Sequence, residues 1–178
     1  MKNVLFMIIM VLCGLSVSAQ TDLTISPAGF FLGNANLYID KSAGDRWSVE
    51  LGLGYSYEIY TQTETDYHSK GAVIRLLGKY YVNKDKNHSG FYAGPYLRGA
   101  LAKIDNIAEQ KYRRLGLGGF TGYKWLIADK LVLELGMGVG YALVHQFDPA
   151  DPGFDDIPWF ADKLDITGKV SVGMRIGD

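Results

Sequence analysis

From residue 47 to residue 59 every odd position is large and apolar: Trp47, Val49, Leu51, Leu53, Tyr55, Tyr57 and Ile59. The positions between them are Ser48, Glu50, Gly52, Gly54, Ser56 and Glu58. A period of two sends the two sets to opposite faces of an extended strand. One face is greasy along its whole length; the other is polar, charged or bare. The same frame returns at residues 71–82, 91–102, 114–125, 131–143 and 165–176. Helical periodicity is poor throughout, and no apolar run after the N-terminus is long enough for a membrane helix. Repeated two-sided strands of this kind are the pattern of a β-barrel that faces hydrocarbon outside and packs polar groups inside. The expected fold is therefore all-β: an antiparallel up-and-down transmembrane barrel.

The N-terminus supplies the route. Lys2 precedes an apolar run at residues 4–15 and then Val17-Ser18-Ala19, which reads as a secretory signal cleaved before Gln20. The run is short for an anchor helix of about 20 residues. Cys13, the only cysteine, lies in this segment behind Leu12 rather than a small residue, so a lipoprotein site is not expected. Residues 1–19 are thus read as signal peptide and residues 20–178 as one barrel domain. The mature chain then has no disulfide, no thiolate nucleophile and no cysteine metal site. A formal net charge of −1 provides no basic stripe for nucleic acid.

Connection lengths set the strand count. Turns near residues 41–45 and 128–130 are short and 83–89 is intermediate, whereas 61–69, 105–110 and 146–162 are longer or irregular. Short turns face the periplasm and long loops face outside. With both termini in the periplasm, this parity requires eight strands and a hairpin within residues 23–40. Leu23 to Leu32 would form its first arm, Gly33-Asn34 its turn and Leu37-Tyr38-Ile39 a short return. Pro27 weakens that arm, and one long strand over residues 24–40 is the alternative.

Trp47, Tyr80, Phe91, Tyr123 and Trp125 fall at the periplasmic rim of the apolar face, where an interfacial aromatic belt belongs. Nearly every strand charge falls on the other, lumen-facing side: Glu50, Glu58 and Glu134, with Arg75, Lys79, Arg98, Arg114, Lys124, Lys169 and Arg175. An eight-stranded barrel is only wide enough for side chains to fill, and charges buried there must pair. The expectation is a plugged lumen, with Glu50 and Glu58 facing Arg75 and Lys79. Glu134 would lie among Arg114, Lys124, Lys169 and Arg175, with Asp165 at the outer end. Bases outnumber acids in this set, which would leave a slight preference for anions.

Catalytic and cofactor motifs are weak. Glu50 and Glu58 are about 26 Å apart at strand rise, too far to share a proton. The glycine-rich runs at 52–54 and 136–140 lie inside strands and lack the helix and lysine of a phosphate loop. His68, His88 and His145 have no metal-ligand spacing. Neither a cofactor nor a metal is implied. His145 lies near acidic loop residues, with His68-Ser69 at similar height, which admits a His–Ser–acid lipid hydrolase as a minor alternative. Loop 146–162 carries Asp148, Asp151, Asp155, Asp156 and Asp162 without EF-hand spacing. Its Phe154, Trp159 and Phe160 are candidate contacts for a protein partner or for the lipopolysaccharide zone.

The succession RWSVELGLGY, RLLGKYYV, GFYAGPYLRGAL and GYKWLIADKLVLELGMGVGYAL resembles the small outer-membrane β-barrel domains of unknown function common in Bacteroidota. The resemblance is strongest at residues 91–97 and 122–141. It implies residence in the outer membrane, contact with outer-membrane lipid and lipopolysaccharide, and no catalytic residues to carry over. The expected role is non-enzymatic, structural or loop-mediated. A lipid-modifying enzyme, a narrow channel or transporter, and a soluble periplasmic β-protein are the alternatives.

Overall fold

A computed structural model describes residues 20–31, 33–62, 65–83, 87–105, 110–148 and 163–177, with backbone alone at 58–62, 65–69, 104–105, 110 and 147–148. The elements are β1 (Thr21–Ile25), α1 (Pro27–Phe31), β2 (Asn34–Ser42), β3 (Trp47–Gln62), β4 (Thr65–Tyr81), β5 (Gly90–Asp105), β6 (Gln110–Ile127), β7 (Leu131–Asp148) and β8 (Leu164–Ile176). Each strand pairs antiparallel with its sequence neighbours, and β1 closes on β8 with Thr21 opposite Ile176. The fold is the expected eight-stranded up-and-down barrel.

The two faces are inverted relative to a soluble protein. Leu53, Ile74, Leu97, Leu101, Leu117, Met137, Val139 and Ile166 are exposed on the outside, while Glu50, Arg75, Lys79, Lys124, Glu134 and Lys169 are buried within. A soluble sandwich with the apolar face as its core is thereby excluded. Among the described residues, the buried apolar cluster is mostly aromatic: Leu77, Tyr81, Tyr92, Tyr96 and Phe120. The ring of Phe120 lies over Gly136 and Gly138, where an added Cβ would stand 2.5 and 2.6 Å from its carbons. Those glycines leave room for aromatic bulk in a narrow lumen.

The first hairpin departs from expectation. Its first arm stops at Ile25 rather than Leu32, because Pro27 has no amide hydrogen to donate and its fixed φ suits the first turn of a helix. Ser26 Oγ accepts a hydrogen bond from the Gly29 amide at 3.2 Å and caps α1. The return strand is longer than Leu37 to Ile39, running from Asn34 to Ser42. Gly33 turns the chain at φ 74°. The 61–69 segment is not a loop; β3 runs to Gln62 and β4 starts at Thr65.

At the rim that carries the termini, β6 and β7 are joined by a tight turn with Ala128 and Asp129 at φ 51° and 57°. The Lys130 amide donates to the Ile127 carbonyl at 3.2 Å, and both central residues are left-handed, as in a primed turn whose twist matches that of the strands. His88 is buried at the same rim. It bonds Ser42 Oγ at 3.2 Å and the Gly44 carbonyl at 2.7 Å. Pro95 lies mid-strand, and the β4–β5 pairing is interrupted opposite it between Leu77 and Tyr80. A β-bulge between Leu115 and Gly116 leaves Leu143 without a register partner.

Candidate functional site

Alternation sends one charged side chain or more into the lumen from every strand except β5 in its lower half, and closure makes strands on opposite walls neighbours. At the centre is the ammonium of Lys79 on β4. It lies 2.8 Å from Asp40, 2.5 Å from Glu50 and 2.6 Å from Glu134, contributed by β2, β3 and β7. Lys169 on β8 bridges Glu50 at 2.6 Å and Glu134 at 2.5 Å. Arg75 binds Glu50 at 2.8 Å. Toward the terminal rim, Lys124 joins Asp40 at 2.5 Å to Asp22 at 2.9 Å, and Arg175 clasps Asp22 through two nitrogens at 2.7 and 3.0 Å. These nine residues form one unbroken chain of ion pairs.

Aromatic faces close the gaps between the charges. Lys169 Nζ is 4.4 Å from the ring centre of Tyr38, and Lys79 Nζ is 4.8 Å from that of Tyr92. The Arg75 guanidinium lies between Tyr38 and Phe120, at 5.0 and 4.8 Å. A cation over a ring face gains the attraction of the ring's negative face without needing another carboxylate. β5 contributes its tyrosines where the other strands contribute charges.

A second, smaller cluster sits nearer the opposite rim. Asp165 receives Arg98 at 2.8 Å, Arg114 at 3.2 Å and the Tyr96 hydroxyl at 2.9 Å. Between the clusters lies a cavity of about 380 Å³ bordered by Asn36, Tyr38, Arg75, Arg98 and Lys169. Asp40, Glu50 and Glu134 come within 4.8 Å of one another, the spacing of a metal triad. Lys79 contacts all three, so an ammonium already provides the positive charge a metal ion would bring.

Nine of the ten anticipated lumen charges are placed inside: Glu50, Arg75, Lys79, Arg98, Arg114, Lys124, Glu134, Lys169 and Arg175. Glu58 lies among the positions described by backbone alone. The pairing differs from expectation. Glu134 binds Lys169 and, across the lumen, Lys79, but not Arg114 or Arg175, which pair with Asp165 and Asp22 instead. Asp22 and Asp40 were missed as members. Their signal was present, since Leu23 and Ile25, and Leu37 and Ile39, alternate against Asp22 and Thr24, and Tyr38 and Asp40. Pro27 and the shortness of the runs concealed it.

Trp47 and Tyr80 meet on the outer face at the terminal rim with ring centres 5.0 Å apart, and Tyr123 and Trp125 do so at 4.5 Å. Phe91 stands opposite Tyr123 in the register. His145 sits on β7 opposite Arg114, with its ring 5.5 Å from Tyr112. His68 and Ser69 lie on β4, which does not pair with β7. Phe154, Trp159 and Phe160, like the signal segment, lie outside the described residues.

No curated protein matches the sequence. Among solved structures, a major outer membrane protein from Thermus thermophilus aligns with a TM-score of 0.56 at 15% identity, over 89% of this chain and 98% of that one. Ail, the attachment invasion locus protein of Yersinia pestis, in complex with the heparin analogue sucrose octasulfate, aligns with a TM-score of 0.54 at 10% identity, over 90% of this chain and 100% of Ail. At such identities the likeness is one of fold. The family model described as a protein of unknown function, DUF3575, matches residues 4–151, which take in β1 through β7, and the chain belongs to that family.

Proposed function

We propose that this chain, exported on a cleaved signal peptide, is an integral outer-membrane barrel that acts without catalysis. It stiffens the envelope and holds the segments beyond its long strands, including Phe154, Trp159 and Phe160, toward a partner outside. The observation that carries this reading is the pairing of an apolar exterior with a charge-filled interior. An outward band of this size is unfavourable in water and stable in hydrocarbon. On β5 the outward residues from Phe91 to Leu101 are apolar or small. They span about 33 Å along the strand, or about 25 Å of height at a tilt of about 40°. That height is the thickness of a bacterial outer-membrane barrel's apolar band. Trp47, Tyr80, Phe91, Tyr123 and Trp125 then occupy the lipid–water boundary on the terminal side.

The lumen argues against transport. The ion-pair chain draws on seven strands, its members are almost wholly buried, and tyrosine and phenylalanine rings pack against its cations. Heat-modifiable gel migration of the outer-membrane fraction tests the architecture: a folded barrel runs differently before and after boiling, and an unchanged band defeats the reading. Planar bilayers test the plug, with conductance expected at the lipid baseline. Steady single-channel steps would turn the assignment toward a channel. An altered lipid A profile on expression, lost in His145→Ala, would turn it toward an enzyme.

A further inference from the structure

The barrel wall is incomplete beside β8. β1 ends at Ile25, opposite Val172, so β8 from Leu164 to Ser171 has no β1 partner on that side. On its other side this stretch pairs with β7 from Glu134 to Tyr141. The outward residues of β7 there are Leu135, Met137, Val139 and Tyr141, all exposed, so the gap lies within the apolar band. A sheet edge at that depth leaves peptide groups without partners, and it persists only where protein or a water-lined cavity covers it. α1 packs against β8 at this place. The cavity between the two charge clusters occupies the rest, with Ser26, Ala28 and Gly29 on one side of it and residues 166–170 on the other.

The two ends of this cavity differ. Arg75, Arg98 and Lys169 border it from the lumen, whereas Leu135, Ile166 and Val170, which border it too, belong to the lipid-facing set. Residues from both faces of a sheet share one cavity where it passes round a free edge, here the edge of β8 that the short β1 leaves open. Gly168 borders the cavity between Ile166 and Val170, and a Cβ added to it would meet nothing within 4 Å. A bare notch on the lipid side thus leads inward. At the inner end, no aspartate or glutamate is among the described residues bordering the cavity. Glu58, the next acid on the inward side of β3, stands four residues beyond Gly54, about 13 Å along the strand. Arg75 and Arg98 face each other directly across β4 and β5. Each gives one nitrogen to an acid, Nη2 to Glu50 and Nη1 to Asp165, both at 2.8 Å. A guanidinium carries five N–H donors, and Arg75 Nε is buried with no acceptor. Among the described side chains of the lumen, seven bases face five acids. The inner end therefore offers unused donors and unbalanced positive charge.

We propose that this cavity binds a long-chain carboxylate. Its head takes the unused N–H donors of Arg75 and Arg98, and its acyl chain leaves through the gap over Gly168, past Leu135, Ile166 and Val170, into the bilayer. This rests on the membrane-barrel reading above. A carboxylate is planar and matches the fork of a guanidinium. A volume of about 380 Å³ is at the small end of ligand sites, which suits one acyl chain rather than the two or more of a membrane lipid.

The test uses the full mature chain, folded in detergent micelles at alkaline pH, where a fatty acid is ionised. It is titrated with palmitate, with hexadecanol (the same chain without the charge) and with acetate (the same head without the chain), and bound ligand is counted by native mass spectrometry. Palmitate is expected to bind about tenfold or more tightly than hexadecanol, and about a hundredfold or more tightly than acetate. Arg98→Gln is expected to erase the preference over hexadecanol. Gly168 has a backbone outside the left-handed region, so Gly168→Phe fills the notch without touching the lumen charges and is expected to erase most of the preference over acetate. Gly119→Phe, on β6 and equally open, leaves both preferences intact. Hexadecanol or acetate binding as tightly as palmitate overturns the proposal, and so does an unchanged preference in Arg98→Gln or Gly168→Phe. Each sample is also run with and without boiling. A wild-type band that does not shift defeats the membrane-barrel reading and this site with it, whereas a shifting barrel with neither preference defeats the site alone. If either variant does not shift, Arg98→Lys or Gly168→Leu takes its place; each is expected to lose part of its preference, and full retention overturns the proposal.

Discussion

Lys79→Met removes the cation on which three acids converge while keeping an unbranched side chain of similar length, so that little cavity is left behind. Lys79 is fully buried, with contacts of 2.8, 2.5 and 2.6 Å to Asp40, Glu50 and Glu134. Deleting one partner of a buried ion pair costs about 3–5 kcal/mol, because the other charge stays desolvated. Three carboxylates are affected here, but none is abandoned. Asp40 keeps Lys124, Glu50 keeps Arg75 and Lys169, and Glu134 keeps Lys169. The low end applies, about 3 kcal/mol, or roughly two decades in the folded-to-unfolded ratio. The assay is urea unfolding of the protein in phospholipid vesicles, followed by loss of the compact gel band. Lys41→Gln, at the rim that carries the termini, is the reference and should move the free energy by less than about 0.5 kcal/mol. A double-mutant cycle with Glu134→Gln should return a coupling within about 0.5–3 kcal/mol. If Lys79→Met unfolds with the wild type, the ammonium is not held among carboxylates, and the account of the plug is wrong.

Asp165→Asn should cost less, about 1–2 kcal/mol, because Arg98 and Arg114 are 27% and 16% exposed and water can solvate what the carboxylate releases; the same urea titration checks it, and a loss as large as that of Lys79→Met would contradict the ordering. Ala128→Asn should raise stability by about 0.4–1 kcal/mol, since asparagine tolerates the left-handed backbone that Ala128 adopts at φ 51°; a lower urea midpoint would speak against the turn. In variants retaining only Trp47 or only Trp125, brominated phosphatidylcholine should quench fluorescence best when bromine sits near the headgroup, and strongest quenching from the acyl-chain end would remove both from the boundary.

The sidedness of the lumen residues was legible because it is local. A strand's pleat assigns Glu50, Arg75, Lys124 and Lys169 to one face whatever else the chain does. The first hairpin was less legible. Its apolar positions, Leu23, Ile25, Leu37 and Ile39, come in pairs too short to stand out, and Asp22 and Asp40 went unnoticed with them. The far end of the outward face was equally open to reading, since Lys70, Lys103 and Arg113 continue its frame one step past the last apolar residue. Only the register shows that Lys70, Lys103 and Lys111 stand abreast.

By itself the chain determined its period, its two faces, its strand number through the parity of its turns, and the class of side chain that each face carries. Tertiary structure decided who meets whom. Lys79 on β4 finds Glu134 on β7, and Lys169 on β8 finds Glu50 on β3, because closing the sheet with its stagger brings opposite walls within one side chain's reach. Alternation carries no information about that stagger. The sequence names the charges; the circumference and shear of the barrel pair them.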